Sequence, residues 1–257
     1  MLRQAGAVVD EETKRCRIPG YVIEEALRRA PSSFTVYARN PKNDVHVSTR
    51  ALHYEPMIGR LNCYEYDTGK THRTTLEDVG HLVKISDALP HYHLLHSGAI
   101  MPQITGVPVR ATHVYGYLES VRNSSKVIKA TSREKIMAED CLRMVAAVAG
   151  GESELKRKPF TFTTDNPVAP LQHDRDQTEG AMEFAKWGLP IDVTSEPQAG
   201  ATSPVTLAGL LAQQTADVIS GITIIQLTAP GTPVWYGTCG SVMDMKVGRI
   251  AIGAIEM

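Results

Sequence analysis

The sequence lacks the features of several common functional classes. It carries 27 basic and 28 acidic residues, so the formal net charge of −1 at pH 7 gives no excess of the kind that nucleic-acid binding requires. It has no run of about 18 apolar residues, and its N-terminus does not show the basic, apolar and small-residue zones of a signal peptide. We therefore expect a cytoplasmic protein without nucleic-acid or membrane partners. The nearest basic cluster, residues 156–158, is interpreted as a solvated loop.

Motifs for metal, redox and nucleotide chemistry are also missing. The four cysteines form no CxxC pair, which argues against a zinc ribbon or a thioredoxin-like site. No GxGxxG follows a predicted strand and no GxxxxGK is present. Gly150 and Gly151 are interpreted as the end of a helix rather than as a phosphate cradle. Most cysteines are interpreted as small buried residues, although Cys239 follows a predicted strand end.

The histidines at positions 91, 93 and 96 are spaced two and three residues apart, a pattern that can converge on a metal ion in a strand or turn. Pro90 and the apolar Leu94 and Leu95 indicate a strand or a loop edge instead of a helical metal motif. We favour a polar pocket wall or surface histidines, and no metal is expected.

What the chain does contain is a regular alternation of short apolar strands and longer helices. Such an alternation predicts parallel βαβ units, and four successive units favour a barrel over an open doubly wound sheet. The predicted helices cover residues 19–30, 75–88, 112–122, 133–149, 178–186 and 205–227. The predicted strands cover residues 13–18, 34–38, 44–47, 127–130, 160–164, 191–194 and 234–237.

In a barrel, reacting groups lie where strands end and loops begin. This rule selects residues at or just after the ends of four predicted strands, with a helix cap or a surface ion pair as an equally good explanation for each carboxylate. The loop after residue 195 consists mostly of small residues, which let a ligand approach the backbone, and Pro204 is expected to open the next helix. The candidates selected are Thr131, Ser132, Asp165, Asn166, Glu196, Gly200, Tyr236 and Gly237.

Several segments of the chain resemble, in the same order, the trimethylamine methyltransferase (MttB-type) family of corrinoid-dependent methyltransferases. The most specific are PVTLAG at residues 204–209, PGTPVWYG at 230–237 and MDMKVG at 243–248. Weaker ones are AGAVVD at 5–10, ARNP at 38–41, GGESELKRKP at 150–159 and NPVAPL at 166–171. The resemblance spans nearly the whole chain.

The resemblance implies an α/β fold with a TIM (β/α)8-type barrel that is incomplete on its C-terminal side. An irregular α+β N-terminal layer would occupy residues 1–70 and the partial barrel residues 71–257. The chain would then correspond to the first half to two thirds of a catalytic subunit. Because unclosed sheet edges invite association, a homo-oligomer is expected.

The activity implied by the resemblance is methyl transfer from a methylated amine to the Co(I) of a corrinoid. No cofactor would bind directly, because a cognate corrinoid protein would present the methylcobamide. Carboxylates and aromatic faces could hold the cation, with Glu196, Asp244 and Glu256 as catalytic candidates. Asp165, Asn166, Tyr236, Gly200 and Gly237 are the substrate-binding candidates.

Three alternatives remain open at this point. Trimethylamine is slightly favoured as the substrate, with glycine betaine or another quaternary amine as a rival. A third hypothesis is an inactive barrel fragment that acts only as an assembly module.

Overall fold

The computed structural model describes residues 1–56, 58, 61–97 and 107–255. The chain divides into two compact units, the first made of Met1–Pro31 and Thr164–Met257 and the second of Ser32–Thr163. The predicted division into residues 1–70 and 71–257 stays a prediction.

Seven α-helices lie in the described residues, and six of them confirm the predicted ones with small shifts at their ends. They are α1 (Gly20–Arg29), α2 (Leu76–Ala88), α3 (Thr112–Asn123), α4 (Lys135–Ala149), α5 (Glu152–Arg157), α6 (Arg175–Lys186) and α7 (Leu207–Thr228).

The strands are short, as the sequence predicted, but more numerous. Eight of them lie in segments that were predicted as strands or, for β7, as a strand or loop edge. These are β2 (Arg15–Arg17), β3 (Phe34–Val36), β4 (Val45–Val47), β7 (Leu94–His96), β8 (Val127–Lys129), β9 (Thr161–Asp165), β10 (Ile191–Ser195) and β12 (Val234–Thr238). The unpredicted strands are β1 (Val8–Asp10), β5 (Asn62–Tyr64), β6 (Thr71–Arg73), β11 (Gln198–Ala199), β13 (Ser241–Asp244) and β14 (Arg249–Ile250).

Five strands form one sheet in the order β12-β10-β9-β8-β7, and a helix lies between successive strands of this sheet along the chain. The pairs β10–β12, β7–β8 and β8–β9 are parallel, so the predicted parallel α/β architecture is confirmed. Among the described strands β12 and β7 remain the two ends of an open row. Closure into a TIM barrel therefore stays a prediction.

Two helix ends show why local sequence signals work. Thr75 caps α2, and its hydroxyl accepts a hydrogen bond from the Asp78 amide while the Asp78 carboxylate accepts one from the Thr75 amide. This reciprocal capping box satisfies two donors that a helix start would leave unpaired, and it begins α2 where the sequence predicted a helix start. At the other end of a helix, Gly150 caps α4 with a φ of +88°, which confirms it as a helix terminator.

Two local predictions were wrong. Residues 156 and 157 belong to α5 rather than to a loop, because Lys156 pairs with Glu152 at 2.7 Å and Arg157 pairs with Glu154 along the helix. Pro204 does not open α7. The helix starts at Leu207 after the cap residue Thr206, whose hydroxyl accepts from the Gly209 amide at 3.2 Å.

Helix α7 is the central packing element of the first unit. It contacts α1, α6, β10 and β12, and it buries Val218, Ile222 and Ile225. By length and composition α7 is also the one described helix that could cross a membrane, but 50% of that stretch is buried inside the protein. The buried Gln226 side chain donates to the Thr232 carbonyl at 2.7 Å, as expected of a core helix that satisfies its polar groups internally.

The second unit has a core of its own. Leu95 and Ile128 from the parallel strands are buried with Tyr117 of α3, Leu142 of α4 and Phe162 of β9. Two antiparallel hairpins, β3–β4 and β5–β6, belong to the same unit.

Candidate functional site

The carboxyl ends of β9, β10 and β12 meet at one edge of the sheet in the first unit. Asn166, directly after β9, donates through Nδ2 to the Thr194 carbonyl at 3.1 Å. Beyond β12, the Cys239 amide donates to the Ser195 carbonyl at 3.0 Å. Glu196 follows β10 at this same edge and is exposed. The same edge of the sheet therefore holds Asn166, Glu196 and the end of β12, where the strand-end rule selected its candidates.

Alternate residues of β10 and β12 face opposite sides of the sheet, and one side is covered by α7. The Tyr236 hydroxyl lies 3.3 Å from Gln214 Nε2, which donates to it, and 3.2 Å from the Thr215 hydroxyl. A Cβ placed on Gly221 would lie 2.7 Å from Val193 Cγ1, so the helix approaches the sheet closely at this glycine. Tyr236 is 45% exposed, and its hydroxyl is directed towards α7. We call this side the α7 face.

The side of the β10–β12 pair away from α7 carries Asp192, Thr194, Trp235 and Gly237, of which Thr194 is buried and the others are half-buried. We call it the open face because α7 does not cover it. Asp192 and Trp235 are partners in the parallel register, so these half-buried side chains lie next to each other. The Thr194 hydroxyl donates to Asp192 Oδ1 at 2.7 Å. A carboxylate beside an indole ring can hold an alkylammonium cation through charge and cation–π attraction.

Gly237 makes this arrangement possible. A Cβ at this position would lie 1.9 Å from Thr194 Oγ1 and 2.5 Å from Asp192 Oδ1. Only a residue without a side chain therefore leaves room for the Thr194–Asp192 hydrogen bond. From the sequence we selected Gly237 but missed Asp192 and Trp235, because the strand-end rule considers only residues at or after the ends of strands. The alternation of side chains along β10 and β12 was the signal that could have found them.

Asp165, at the end of β9, lies in a closed environment. It is 1% exposed, and neither carboxyl oxygen has a hydrogen-bond partner among the described residues. Burial, followed by the negative charges of Asp174 and Asp192, raises the pKa of Asp165 to about 7. Its Oδ2 would lie 3.3 Å from a Cβ on Gly221 of α7. The predicted substrate-binding residue Asp165 is thus sealed from solvent beside α7.

A second buried carboxylate, Asp217 of α7, ties the strand-end loops to the helix. Its Oδ1 accepts from the Leu171 amide at 2.7 Å and its Oδ2 accepts from the Ser195 hydroxyl at 3.0 Å. His173 Nε2 lies 2.8 Å from the Ser220 hydroxyl, and burial lowers the pKa of His173. The sequence did not select Asp217. Asp217 is the one charged residue of this long helix, and that was the available signal.

Gly200 directly follows β11, and Asp244 ends β13 of the short sheet β11-β13-β14, also in the first unit. Gly200 has a φ of +86°, which favours glycine, and Met245 Sδ lies 3.4 Å from where its Cβ would be. Asp244 is exposed, and its Oδ1 accepts from the Lys246 amide at 2.9 Å within a turn. This local role matches the capping alternative left open for Asp244. Glu256 lies outside the described residues.

The four cysteines differ in burial, and two of the predicted histidines contact the backbone. Cys141 is buried, whereas Cys16 and Cys239 are exposed and Cys63 is half-buried, so the expectation of mostly buried cysteines was wrong. His93 Nδ1 accepts from the Tyr54 amide at 3.2 Å, and His96 Nδ1 lies 2.5 Å from the Ser97 carbonyl. These two histidines thus have backbone partners in the second unit.

Comparison with known proteins identifies the relatives of this chain. The family model described as "Trimethylamine methyltransferase (MTTB)" matches residues 1–257. A glycine betaine methyltransferase from Desulfitobacterium hafniense strain Y51 is 34% identical over 95% of this chain and 50% of its own length. The trimethylamine methyltransferase MttB of another strain of that species is 31% identical over 99% of this chain and 51% of its own length. MttB of Methanosarcina thermophila is 30% identical over 100% of this chain and 54% of its own length.

These relatives are about twice as long as the part that aligns. The chain spans about half the length of each of the three.

Proposed function

The chain belongs to the trimethylamine methyltransferase (MTTB) family, and on that basis we propose that the protein transfers a methyl group from a methylated amine to the Co(I) of a corrinoid on a separate partner protein. The observation that carries this proposal is the family match over residues 1–257, together with relatives named as methyltransferases. Members of the family therefore transfer methyl groups. The substrate, the corrinoid and the partner are the proposed part.

The open face supplies the binding chemistry that such a substrate needs. Asp192 and Trp235 are register partners on the open face, and α7 covers the opposite side of these strands. Cation–π attraction to an indole contributes about 0.5–2 kcal/mol, and a neighbouring carboxylate balances the charge of the ammonium group. Glu196 and Asn166 follow the carboxyl ends of β10 and β9, further along the strands than this pair. We propose that Asp192 and Trp235 hold the methylammonium cation.

The corrinoid, when its carrier protein docks, supplies the nucleophile. The residues of this chain then need only hold the amine in line and keep water from separating the reactants, because orientation alone can lower the barrier substantially. Protonated trimethylamine gives up one methyl group and leaves as neutral dimethylamine, and a quaternary ammonium likewise leaves as a neutral tertiary amine, so the positive charge on nitrogen is lost during the reaction. A carboxylate such as Asp192 therefore stabilises the bound substrate more than the transition state. Its main contribution is to substrate affinity.

We propose trimethylamine as the substrate. Asp192 is the proposed partner of the cation, and its carboxylate would repel a substrate that carries a carboxylate of its own. Glycine betaine is the second candidate, because the relative with 34% identity is named for that substrate. Binding of the two compounds to the same protein distinguishes these candidates.

The test uses the protein that contains this chain together with its reduced corrinoid protein. Loss of a methyl group from trimethylamine or glycine betaine is followed by mass spectrometry, and binding of each amine is measured by calorimetry. We expect Asp192→Asn to raise KM about tenfold, equivalent to about 1.4 kcal/mol, with kcat changed much less. Asp176→Asn removes an exposed carboxylate of α6 and serves as the control with unchanged KM.

Two results would contradict the proposal. The first is the absence of corrinoid-dependent methyl loss from either amine. The second is an unchanged KM in Asp192→Asn, which would remove the open face from the binding site while leaving the family activity intact.

A further inference from the structure

The second unit contains a cluster of three different metal-binding side chains that the methyl-transfer proposal does not use. Cys63 of β5 and His72 of β6 are register partners in the antiparallel hairpin, so both side chains lie on the same face of it. Asp78, in the first turn of α2, completes the cluster. One donor atom from each of the three residues lies within 4.8 Å of the other two.

These distances are close to those of a bound ion. In a tetrahedral zinc site with bonds of about 2.0–2.3 Å, neighbouring ligand atoms lie about 3.3–3.8 Å apart. The present donors need to approach by about one ångström at most, which a small side-chain rotation provides. All three residues are half-buried, so an ion can enter the site and still exchange a solvent ligand.

A carboxylate lies beside each ring nitrogen of His72. His72 Nε2 lies 2.9 Å from Asp78 Oδ2, and His72 Nδ1 lies 3.3 Å from Glu65 Oε1. Nδ1 has no aligned hydrogen bond at present, and a slight turn of Glu65 would make one. A carboxylate on the second ring nitrogen is the usual support of a metal-bound histidine, since it fixes the tautomer and the ring orientation.

Asp78 is held in place independently of any ion. Its Oδ2 accepts from the Thr75 amide and the Thr75 hydroxyl, both at 2.7 Å. Burial opposes ionisation, but these hydrogen bonds and His72 outweigh it and lower the pKa of Asp78. The carboxylate is thus preorganised at the edge of the hairpin. Burial and the charge of Asp78 raise the pKa of the Cys63 thiol, so the metal-free site keeps a proton on sulfur.

We propose that Cys63, His72 and Asp78 bind one Zn²⁺ ion, with water as the fourth ligand and Glu65 supporting the histidine. Binding exchanges the Cys63 thiol proton, which passes to solvent, for a zinc–sulfur bond, with no change in oxidation state. The mixed sulfur, nitrogen and oxygen donors match zinc, while magnesium and calcium prefer oxygen ligands alone. The ion would link the β5–β6 hairpin to the start of α2.

The test begins with protein stripped by a chelator and then titrated with Zn²⁺ against a chromophoric competitor. Native mass spectrometry counts bound zinc, and Co²⁺ serves as a spectroscopic probe, because a thiolate ligand adds a sulfur-to-metal charge-transfer band. We expect one zinc per chain, with the dissociation constant raised at least a hundredfold by Cys63→Ser or His72→Gln. Glu65→Gln should raise it about tenfold, as loss of a supporting carboxylate does elsewhere.

Matched controls separate the site from general thiol or imidazole binding. Cys16→Ser removes an exposed cysteine of β2 and His81→Gln an exposed histidine of α2, and both should bind zinc as the parent does. Circular dichroism of each metal-free variant checks that the fold is retained.

Asp78 itself is left intact, because it also caps α2. Zinc binding that survives Cys63→Ser in a folded variant, or a Co²⁺ complex without a thiolate band, would overturn the proposal.

Discussion

The two faces of the β10–β12 pair differ more than their neighbouring positions in the sequence suggest. The α7 face holds Tyr236 against Gln214 and Thr215, and it seals Asp165 away from solvent. The open face, one residue away along each strand, presents Asp192 and Trp235 side by side. Each face therefore has one aspartate and one aromatic residue, but in different surroundings. The α7 face stabilises the unit, and we propose that the open face binds the substrate.

This difference shows what a strand-end rule detects and what it misses. The rule locates the edge of the sheet, because parallel strands all end on the same side. It cannot assign a face, since that depends on which side α7 covers. Substitutions on each face test this contrast, and the largest effect is expected on the α7 face.

The strongest test concerns the charge of Asp165 on the α7 face. Its folded pKa of about 7 exceeds the ordinary 3.8, so between these values the folded chain holds a proton that the unfolded chain has lost. Stability should therefore fall as pH rises from about 4 to about 7, by about 4 kcal/mol for this group alone. Asp165→Asn cannot ionise, and its stability relative to the parent should grow by about 3 kcal/mol between pH 5 and pH 8.

Urea unfolding of both proteins at the two pH values measures this difference. The exposed Asp176→Asn variant controls for general effects of removing a carboxylate and should show no such growth. A difference between parent and Asp165→Asn that does not change with pH would mean that Asp165 is not closed off by α7.

The next effect concerns the crowding at Gly237 on the open face. In Gly237→Ala the new Cβ would collide with Thr194 Oγ1, so the Thr194–Asp192 hydrogen bond must break or the strands must shift. We expect a loss of about 2 kcal/mol in the free energy of unfolding. Gly20→Ala is the matched control, because nothing lies within 4 Å of the Cβ position there. Equal stability of the two variants would show that the open face is not packed as described.

The smallest effect is expected at Tyr236 on the α7 face. Tyr236→Phe removes contacts of 3.3 Å and 3.2 Å to Gln214 and Thr215 and keeps the ring. The free energy of unfolding should fall by less than about 1 kcal/mol. Kinetic measurement on the same variant then decides between the two faces. A KM that rises as much as in Asp192→Asn would place the substrate against Tyr236, as the sequence first suggested.

Local physical chemistry accounts for the parts of the fold that the sequence predicted. The apolar periodicity of α3, α4, α6 and α7 and the Thr75 cap of α2 are short-range features, so they could be read from neighbouring residues. The short β11 and β13 have no such pattern, because their pairing joins segments some 40 residues apart. The Cys63–His72 pair was missed for a different reason, because the sequence predicted neither strand of the hairpin whose register brings the two residues together.

By itself, the amino-acid sequence determined the alternating helices and strands, their parallel α/β class and the family. These follow from periodicity, caps and ordered motifs along the chain. Only the tertiary structure decided which side chains face α7, which remain accessible, and that Asp165 is buried without a partner while Asp192 lies beside Trp235. The reason is that burial and charge balance depend on the packing of elements far apart in the sequence, and a position within one strand carries no record of that packing.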